Sequence, residues 1–158
     1  MKFLVTILKA DVNVRDIDGR TPLAALFNNP TLGRYLVANG ADIFMKDAED
    51  ESGQSILALC AEFDETWLLE EFQELGGEET ILNDSKKMTE YVYALIIAGY
   101  ASRAKKFIEQ DYVRIDAAFA TSIMKEVHAN FSSGSMVEAV ETFELLISLG
   151  AEIWTVHC

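Results

Sequence analysis

The sequence predicts an all-α fold, a solenoid of stacked helix-turn-helix units joined by short β-hairpin-like loops. Three observations support this prediction. A turn, a helix cap and a short apolar helix occur twice, and the turn glycines Gly19 and Gly53 lie 34 residues apart. In both copies a second helix follows, and that helix ends at a glycine. Apolar residues then recur at helical spacing up to about residue 147.

The first copy begins with an Asp-rich turn that ends at Gly19, because glycine tolerates the positive φ angle that such turns need. Thr21 can accept a backbone N–H as the N-cap of a helix. Pro22 suits the first helical position, where its missing donor costs nothing. This helix is predicted to run to about Phe27, and a second helix is predicted over residues 31–39.

The second copy repeats this order with small changes. Gly40 ends the second helix of the first copy in left-handed backbone, and an acidic loop leads to the next turn. Ser55 takes the cap position, and the helix that follows is predicted to run to about Glu62. Its partner helix is predicted over residues 65–75, with a stripe of Leu68, Phe72 and Leu75.

These residues carry a resemblance to a known family. The segments Asp16-Ile17-Asp18-Gly19-Arg20-Thr21-Pro22-Leu23 and Asn39-Gly40-Ala41-Asp42-Ile43 resemble the ankyrin repeat, a β-turn followed by two antiparallel helices. The resemblance is strong over residues 10–77 and returns at residues 145–153. It departs from the family at Ala24 and Ala58, where the Thr-Pro-Leu-His tetrapeptide has its histidine. The array is therefore expected to depend mainly on apolar stacking between neighbouring repeats.

The later segments complete the predicted array. Helices are expected over residues 89–98, ending at Gly99, and along a stripe that includes Ala104 and Phe107. We predict one domain, residues 1–158, with a partial repeat at 1–14 and repeats at about 15–46, 47–83, 84–115 and 116–154. The register over 78–135 is left open. Because the chain begins in the middle of a repeat, its first segment is either a natural cap or the remainder of a repeat in a longer protein, and we favour the second interpretation.

Composition excludes several classes of function. The sequence has 13 Lys and Arg residues and 26 Asp and Glu residues. The resulting net charge of −13 repels phosphate backbones and anionic membranes. We therefore expect no nucleic acid, and a protein partner with a basic or neutral surface. No run approaches the roughly 20 apolar residues needed to cross a bilayer, so we also expect no membrane insertion. The 2 cysteines are too few for a disulfide framework, and Cys60 is expected to be a buried free thiol. A cytoplasmic chain is predicted, as a monomer or as part of a longer chain.

No pattern of residues predicts catalysis. The acidic cluster near Asp50 is interpreted as solvated charge, because it lacks the alternating ligands of a calcium loop. The cluster near Glu71 follows helical spacing opposite the apolar stripe and is interpreted as a solvated outer face. His128 and His157 have no ligand at metal-binding spacing. Motifs for nucleophilic or nucleotide-dependent chemistry are also missing. We predict that the chain is not an enzyme and needs no metal or cofactor.

The ankyrin resemblance implies protein binding through the loop tips and the exposed face of the first helix of each repeat. Phe63 is the hypothesised apolar anchor, and Glu51 and Glu62 are the hypothesised acidic contacts. For the third repeat, the predicted binding residues are Lys86, Lys87 and Tyr91. The predicted binding residues of the first two repeats are Arg15, Ile17, Asp18, Arg20, Asn28, Asn29, Glu51, Ser52, Gln54, Glu62 and Phe63.

The alternative function is structural. Arrays of repeats can also act as spacers inside a larger multidomain protein or enzyme, with no ligand of their own. The sequence does not decide between binding and spacing, and it does not name a partner.

Overall fold

A computed structural model describes residues 9–46, 54–130 and 136–151. Within these residues the secondary structure is helical and contains no strand, which confirms the predicted all-α class. Residues 1–8 of the predicted partial repeat lie outside the described residues. In chain order the helices are α1 (Pro22–Ala25), α2 (Pro30–Ala38), α3 (Ile56–Glu62), α4 (Trp67–Glu74), α5 (Gly77–Ile81), α6 (Ser85–Ile97), α7 (Ala101–Glu109), α8 (Ala117–Asn130) and α9 (Met136–Ser148).

The chain divides into two compact units, Met1–Ile81 (unit 1) and Leu82–Cys158 (unit 2). In unit 1, α1 pairs with α2, α3 pairs with α4, and α2 packs on α4. In unit 2, α6 pairs with α7 and α8 pairs with α9, while α6 packs on α8 and α7 packs on α9. Within unit 2, helices at the same position of successive hairpins are therefore stacked. The single domain predicted from length stays a prediction.

Two side-chain caps position the first helices of unit 1, as predicted. Thr21 Oγ1 accepts the backbone N–H of Ala24 at 3.3 Å, and Ser55 Oγ accepts that of Ala58 at the same distance. Both cap residues are buried, so each cap satisfies a helix-end donor that water cannot reach. The turn before Thr21 is also hairpin-like, because the Asp16 N–H donates to the Arg20 carbonyl at 3.0 Å.

The first hairpin is shorter than the sequence predicted. Helix α1 ends at Ala25, not at about Phe27, and α2 begins at Pro30. Helix α2 starts one residue earlier than predicted because the Asn29 side chain accepts the N–H of Leu32 at 3.2 Å, which makes Pro30 the first helical residue.

The apolar stripe predicted for α4 is wrong at its C-terminal end. Leu68 is buried, but Leu75 is the C-cap residue and is exposed.

The sequence did not predict α5 or the first turn of α6. Helix α5 follows α4 directly, because Gly76 takes a φ of 70° that ends α4 and lets a new helix begin. Glu78 and Glu79 lie in the first turn of α5, where negative charge favours a helix. Helix α6 begins four residues earlier than the predicted start at residue 89, because Asp84 caps it by accepting the N–H of Lys87 at 3.1 Å.

Glycines end two of the second helices in the same way. Gly40 has a φ of 92° and Gly150 a φ of 89°, in the left-handed region. The next residues, Ala41 and Ala151, donate their N–H groups to Leu36 and Leu146 carbonyls at 3.0 Å. This bond pattern is the Schellman motif, which satisfies carbonyls that the helix itself leaves unpaired. The helix end predicted at Gly40 is confirmed, and Gly150, in the segment 145–153 where the resemblance returns, ends α9 in the same way.

Each unit has its own apolar core. The largest fully buried side chains of unit 1 come from α1 to α4: Leu23, Leu36, Ile56, Leu57, Leu68 and Leu69. Those of unit 2 come from α6, α8 and α9: Met88, Tyr91, Leu95, Ile96, Ile123 and Leu146.

One polar residue interrupts the core of unit 2. Thr142 on α9 has no exposed surface, and its hydroxyl has no hydrogen-bond partner in the described part of the chain. We expect Thr142→Val to raise the free energy of unfolding by about 1–2 kcal/mol, because it removes an unsatisfied group at almost constant shape. Urea unfolding monitored by circular dichroism measures this change.

The matched control is Thr121→Val on α8. The Thr121 hydroxyl donates to the Ala117 carbonyl at 2.7 Å, so its removal should bring no gain. An equal effect of the two substitutions would contradict the burial argument for Thr142.

Candidate functional site

An open apolar cavity of about 190 Å³ lies in unit 1 between the first hairpin and α3. The side chains that line it belong to α1, to the segment after α1, and to α3 with its C-cap. All of them are apolar: Ala24, Phe27, Ile56, Leu59 and Phe63. We call this feature the unit 1 cavity.

Two aromatic rings line the unit 1 cavity. The ring centroids of Phe27 and Phe63 are 5.7 Å apart, and the ring planes are tilted by 43°. Phe27 is half-buried, whereas 65% of Phe63 is exposed to solvent. The exposure of Phe63 leaves a large apolar surface in water, which is unfavourable in the isolated chain.

Trp67 supports this pair of rings from the core. It is buried on α4, and its indole Nε1 donates to the backbone carbonyl of Phe27 at 3.0 Å. The indole also packs against Gly33 of α2, where a Cβ atom would lie 2.3 Å from Trp67 Cη2. The position of Phe27 therefore depends on close packing between α2 and α4.

The polar residues next to Phe63 are acidic or bonded to an acid. The Gln54 side-chain amide donates to Glu62 Oε1. Asp64 takes a left-handed φ of 61° after the end of α3, and the Glu65 N–H donates to the Cys60 carbonyl at 2.8 Å. Phe63 is thus followed directly by two carboxylates.

The loop residues of the first repeat have structural hydrogen bonds. Arg15 donates to the Gly19 carbonyl and, at 3.0 Å, to the Lys46 carbonyl. Ile17 lies at the tip of the turn and is fully exposed. Asn13 donates to the Gly40 carbonyl at 3.0 Å and accepts the Asp42 N–H at 2.8 Å. Arg15 and Asn13 therefore connect successive loops, and sequence reasoning missed this role of Asn13.

The remaining predicted residues differ in their environment. Asp18 and Asn28 are exposed, Arg20 is half-buried, and Asn29 is the cap of α2. Glu51 and Ser52 lie outside the described residues.

In unit 2, the prediction that Tyr91 contacts a partner at the surface is wrong. It is fully buried, and its hydroxyl accepts a hydrogen bond from Arg103 at 2.6 Å. Its ring also packs edge-on against Phe107, with centroids 5.9 Å apart. Lys86 is exposed and Lys87 is half-buried at the start of α6.

The structure brings Gln54, Glu62 and Phe63 together and adds residues that the sequence did not indicate. Phe27 and Leu59 were missed because the two repeats differ in length. Helix α1 has 4 residues and α3 has 7, so a comparison of the copies does not align Phe27 with Phe63. Only the packing of the two hairpins brings the rings into contact.

Unit 2 has a different cavity of about 300 Å³, between α7 and α9. It is open, and its lining is mixed in charge. Ser102 on α7 donates to Glu141 on α9 at 3.1 Å, and Lys105 is 3.7 Å from Glu109. These side chains bond to one another across and along the two helices, as ordinary surface groups do.

The described residues contain no group of three or more His, Cys, Asp or Glu side chains that could hold a metal ion. Cys60 is free and buried, as predicted. Burial, and to a smaller extent the negative charge of Glu65, raises the pKa of the Cys60 thiol to about 12. The thiol is therefore protonated at neutral pH and is a poor nucleophile.

Among the described helices, none has both the length and the apolar character needed to span a bilayer.

Comparisons of the chain with models of protein families, with curated proteins and with solved structures find no match.

Proposed function

We propose that this chain is a protein-binding module of the ankyrin type, and that it holds a segment of its partner at the unit 1 cavity. The exposed Phe63 ring beside an open apolar cavity is the observation that carries this proposal. Residues with the largest effect on binding are commonly aromatic and lie in pockets that lose water when the partner arrives.

The packing around the unit 1 cavity supports binding without a large rearrangement. Trp67 is buried and bonds to the backbone at Phe27. Ile56 on α3 is also buried. A lining that is already ordered lowers the entropic cost of binding, so more of the contact energy appears as affinity.

The charge of unit 1 supports a partner with a basic surface. Residues 1–81 contain 6 Lys and Arg against 16 Asp and Glu, a net charge of −10 out of −13 for the chain. Such a field attracts basic protein surfaces and repels nucleic acid. A cytoplasmic setting is part of the proposal, because the thiol of Cys60 is free.

The proposal is tested by capture of partner proteins on the immobilised chain and on two variants. Phe63→Asp places a charge at the unit 1 cavity and is expected to weaken binding of a true partner at least about 30-fold, the size of a strong interface residue. Leu75→Asp is the matched control. Leu75 is also an exposed C-cap residue of unit 1, at 53% exposure, but it does not line the cavity.

A true partner is a protein retained by the unsubstituted chain and by Leu75→Asp and lost by Phe63→Asp. Titration calorimetry with the purified partner then measures the change in affinity. Circular dichroism and urea unfolding verify that both variants are folded. The proposal would be overturned if every captured protein bound Phe63→Asp as well as it binds the unsubstituted chain. The spacer function predicts that no protein shows this pattern, so the same experiment separates the two.

A further inference from the structure

We infer that the partner segment inserts one aliphatic side chain, the size of leucine or methionine, into the unit 1 cavity and has lysine or arginine next to it. This inference rests on the proposed function. It specifies the chemistry of the partner segment from the size of the cavity, its apolar lining and the charge around it.

The size of the cavity limits its occupant to one side chain. Pockets that enclose a drug-sized ligand measure about 300–1,000 Å³. The unit 1 cavity measures about 190 Å³. It is comparable with an engineered apolar cavity of about 150 Å³ that holds one small apolar molecule. It is therefore too small for a cofactor and suitable for one apolar group of a protein segment.

The lining favours an aliphatic group. Every residue that lines the cavity is apolar, so a polar group in it would lose its hydrogen bonds to water without replacement. Phe27 and Phe63 already pack against each other, with centroids 5.7 Å apart. That distance lies in the range of direct aromatic contact, so a third ring has no room between them. A flexible aliphatic chain can fill the remaining space, and a methionine sulfur also packs well on aromatic rings.

The surrounding charge indicates the residues beside this anchor. No Lys or Arg occurs in the sequence between Lys46 and Lys86, while that interval contains 13 of the 26 acidic residues. Two of these acids, Asp64 and Glu65, follow Phe63 directly. Neither has a basic ion-pair partner among residues 9–46, 54–130 and 136–151.

Other acids of this interval differ from that pair. Arg34 of α2 lies 3.6 Å from Glu70 and 3.3 Å from Glu71, so these carboxylates on α4 have a cation from within unit 1. Asp64 and Glu65 have no such cation among the described residues, so their charge is available to a partner. A cationic side chain beside the apolar anchor would meet them at the edge of the cavity.

The test is a selection of short random displayed peptides on the immobilised chain, with removal of peptides that also bind Phe63→Asp. We expect the enriched peptides to share an aliphatic residue with Lys or Arg within two positions. A synthetic peptide of the enriched sequence is then titrated into the chain and its variants. Replacement of its aliphatic residue by alanine should abolish measurable binding.

The charge is tested with a pair of matched double variants. Asp64→Asn with Glu65→Gln should weaken peptide binding about fivefold at low salt, and the difference should shrink at about 0.5 M salt, where charges are screened. Glu78→Gln with Glu79→Gln removes the same amount of charge from α5 and should leave binding within about twofold.

The outcomes distinguish the inference from the proposed function. Enriched peptides that need Phe63 but carry aromatic anchors or acidic flanks would overturn the inference and leave the proposed function standing. Equal effects of the two double variants would also overturn the inference. A failure to enrich any peptide that depends on Phe63 would overturn both.

Discussion

Replacement of Trp67 by alanine is expected to lower the free energy of unfolding by about 3–5 kcal/mol. Trp67 is 5% exposed, packs on α2 at Gly33, and bonds to the Phe27 carbonyl at 3.0 Å. The substitution therefore creates a cavity between α2 and α4 and leaves a carbonyl without its donor. Urea unfolding followed by circular dichroism measures the loss. On the proposed function, the same variant should also bind its partner segment more weakly, since Phe27 loses its support.

A double-mutant cycle with Gly33 isolates the packing contribution. In the unsubstituted chain, Gly33→Ala should be destabilising, because the new Cβ would lie 2.3 Å from Trp67 Cη2 and a well-packed indole cannot yield easily. In the Trp67→Ala background the clash is absent. The same change should then stabilise the chain by about 0.5–1 kcal/mol, the usual preference of a helix for alanine over glycine. An identical effect in both backgrounds would contradict the contact.

The second large expected effect is a loss of stability in alkali caused by Cys60. Its pKa rises from the ordinary 9.0 to about 12 in the folded chain. Above pH 9 the unfolded chain releases the thiol proton while the folded chain still holds it. Stability must then fall as pH rises, by about 1.4 kcal/mol for each pH unit until the folded thiol itself ionises. Below pH 9 this contribution to stability is fully present.

The measurement is urea unfolding at about pH 8 and about pH 10.5 in a Cys158→Ser background, with Cys60→Ala as the control. The two chains differ only at residue 60, so the difference between their stability losses reports the thiol. We expect the chain with Cys60 to lose about 2 kcal/mol more than the control between these pH values. Equal losses, or rapid alkylation of Cys60 in the folded chain near neutral pH, would show that the thiol is not held protonated by burial.

The local elements of the repeats were predicted well because their causes are local. A hydroxyl at Thr21 or Ser55 can reach only the first turn of the helix that follows it, so the cap is readable from neighbouring residues. The same holds for Gly40 and Gly150, since a left-handed residue at a helix end depends on its own steric freedom.

The errors come from interactions that the pattern of apolar residues does not report. Leu75 fits the period of α4, but the helix ends before it, so it is exposed. Tyr91 was predicted as a binding position of the third repeat, yet it is fully buried, and Arg103 from the next helix donates to its hydroxyl. Burial of a polar aromatic depends on a partner that comes from elsewhere in the unit.

The sequence by itself determined the helical class, the turns and caps of unit 1, the ends of its second helices, and the acidic character of the chain. Each of these depends on residues close together in the chain or on composition. Only the tertiary structure decided where Phe27 meets Phe63, that Trp67 supports them, and that an open cavity remains beside them. These features depend on how hairpins of different length pack against each other. The volumes of the side chains and the positions of the helix ends set the contacts between the hairpins, and no periodicity in the sequence encodes them.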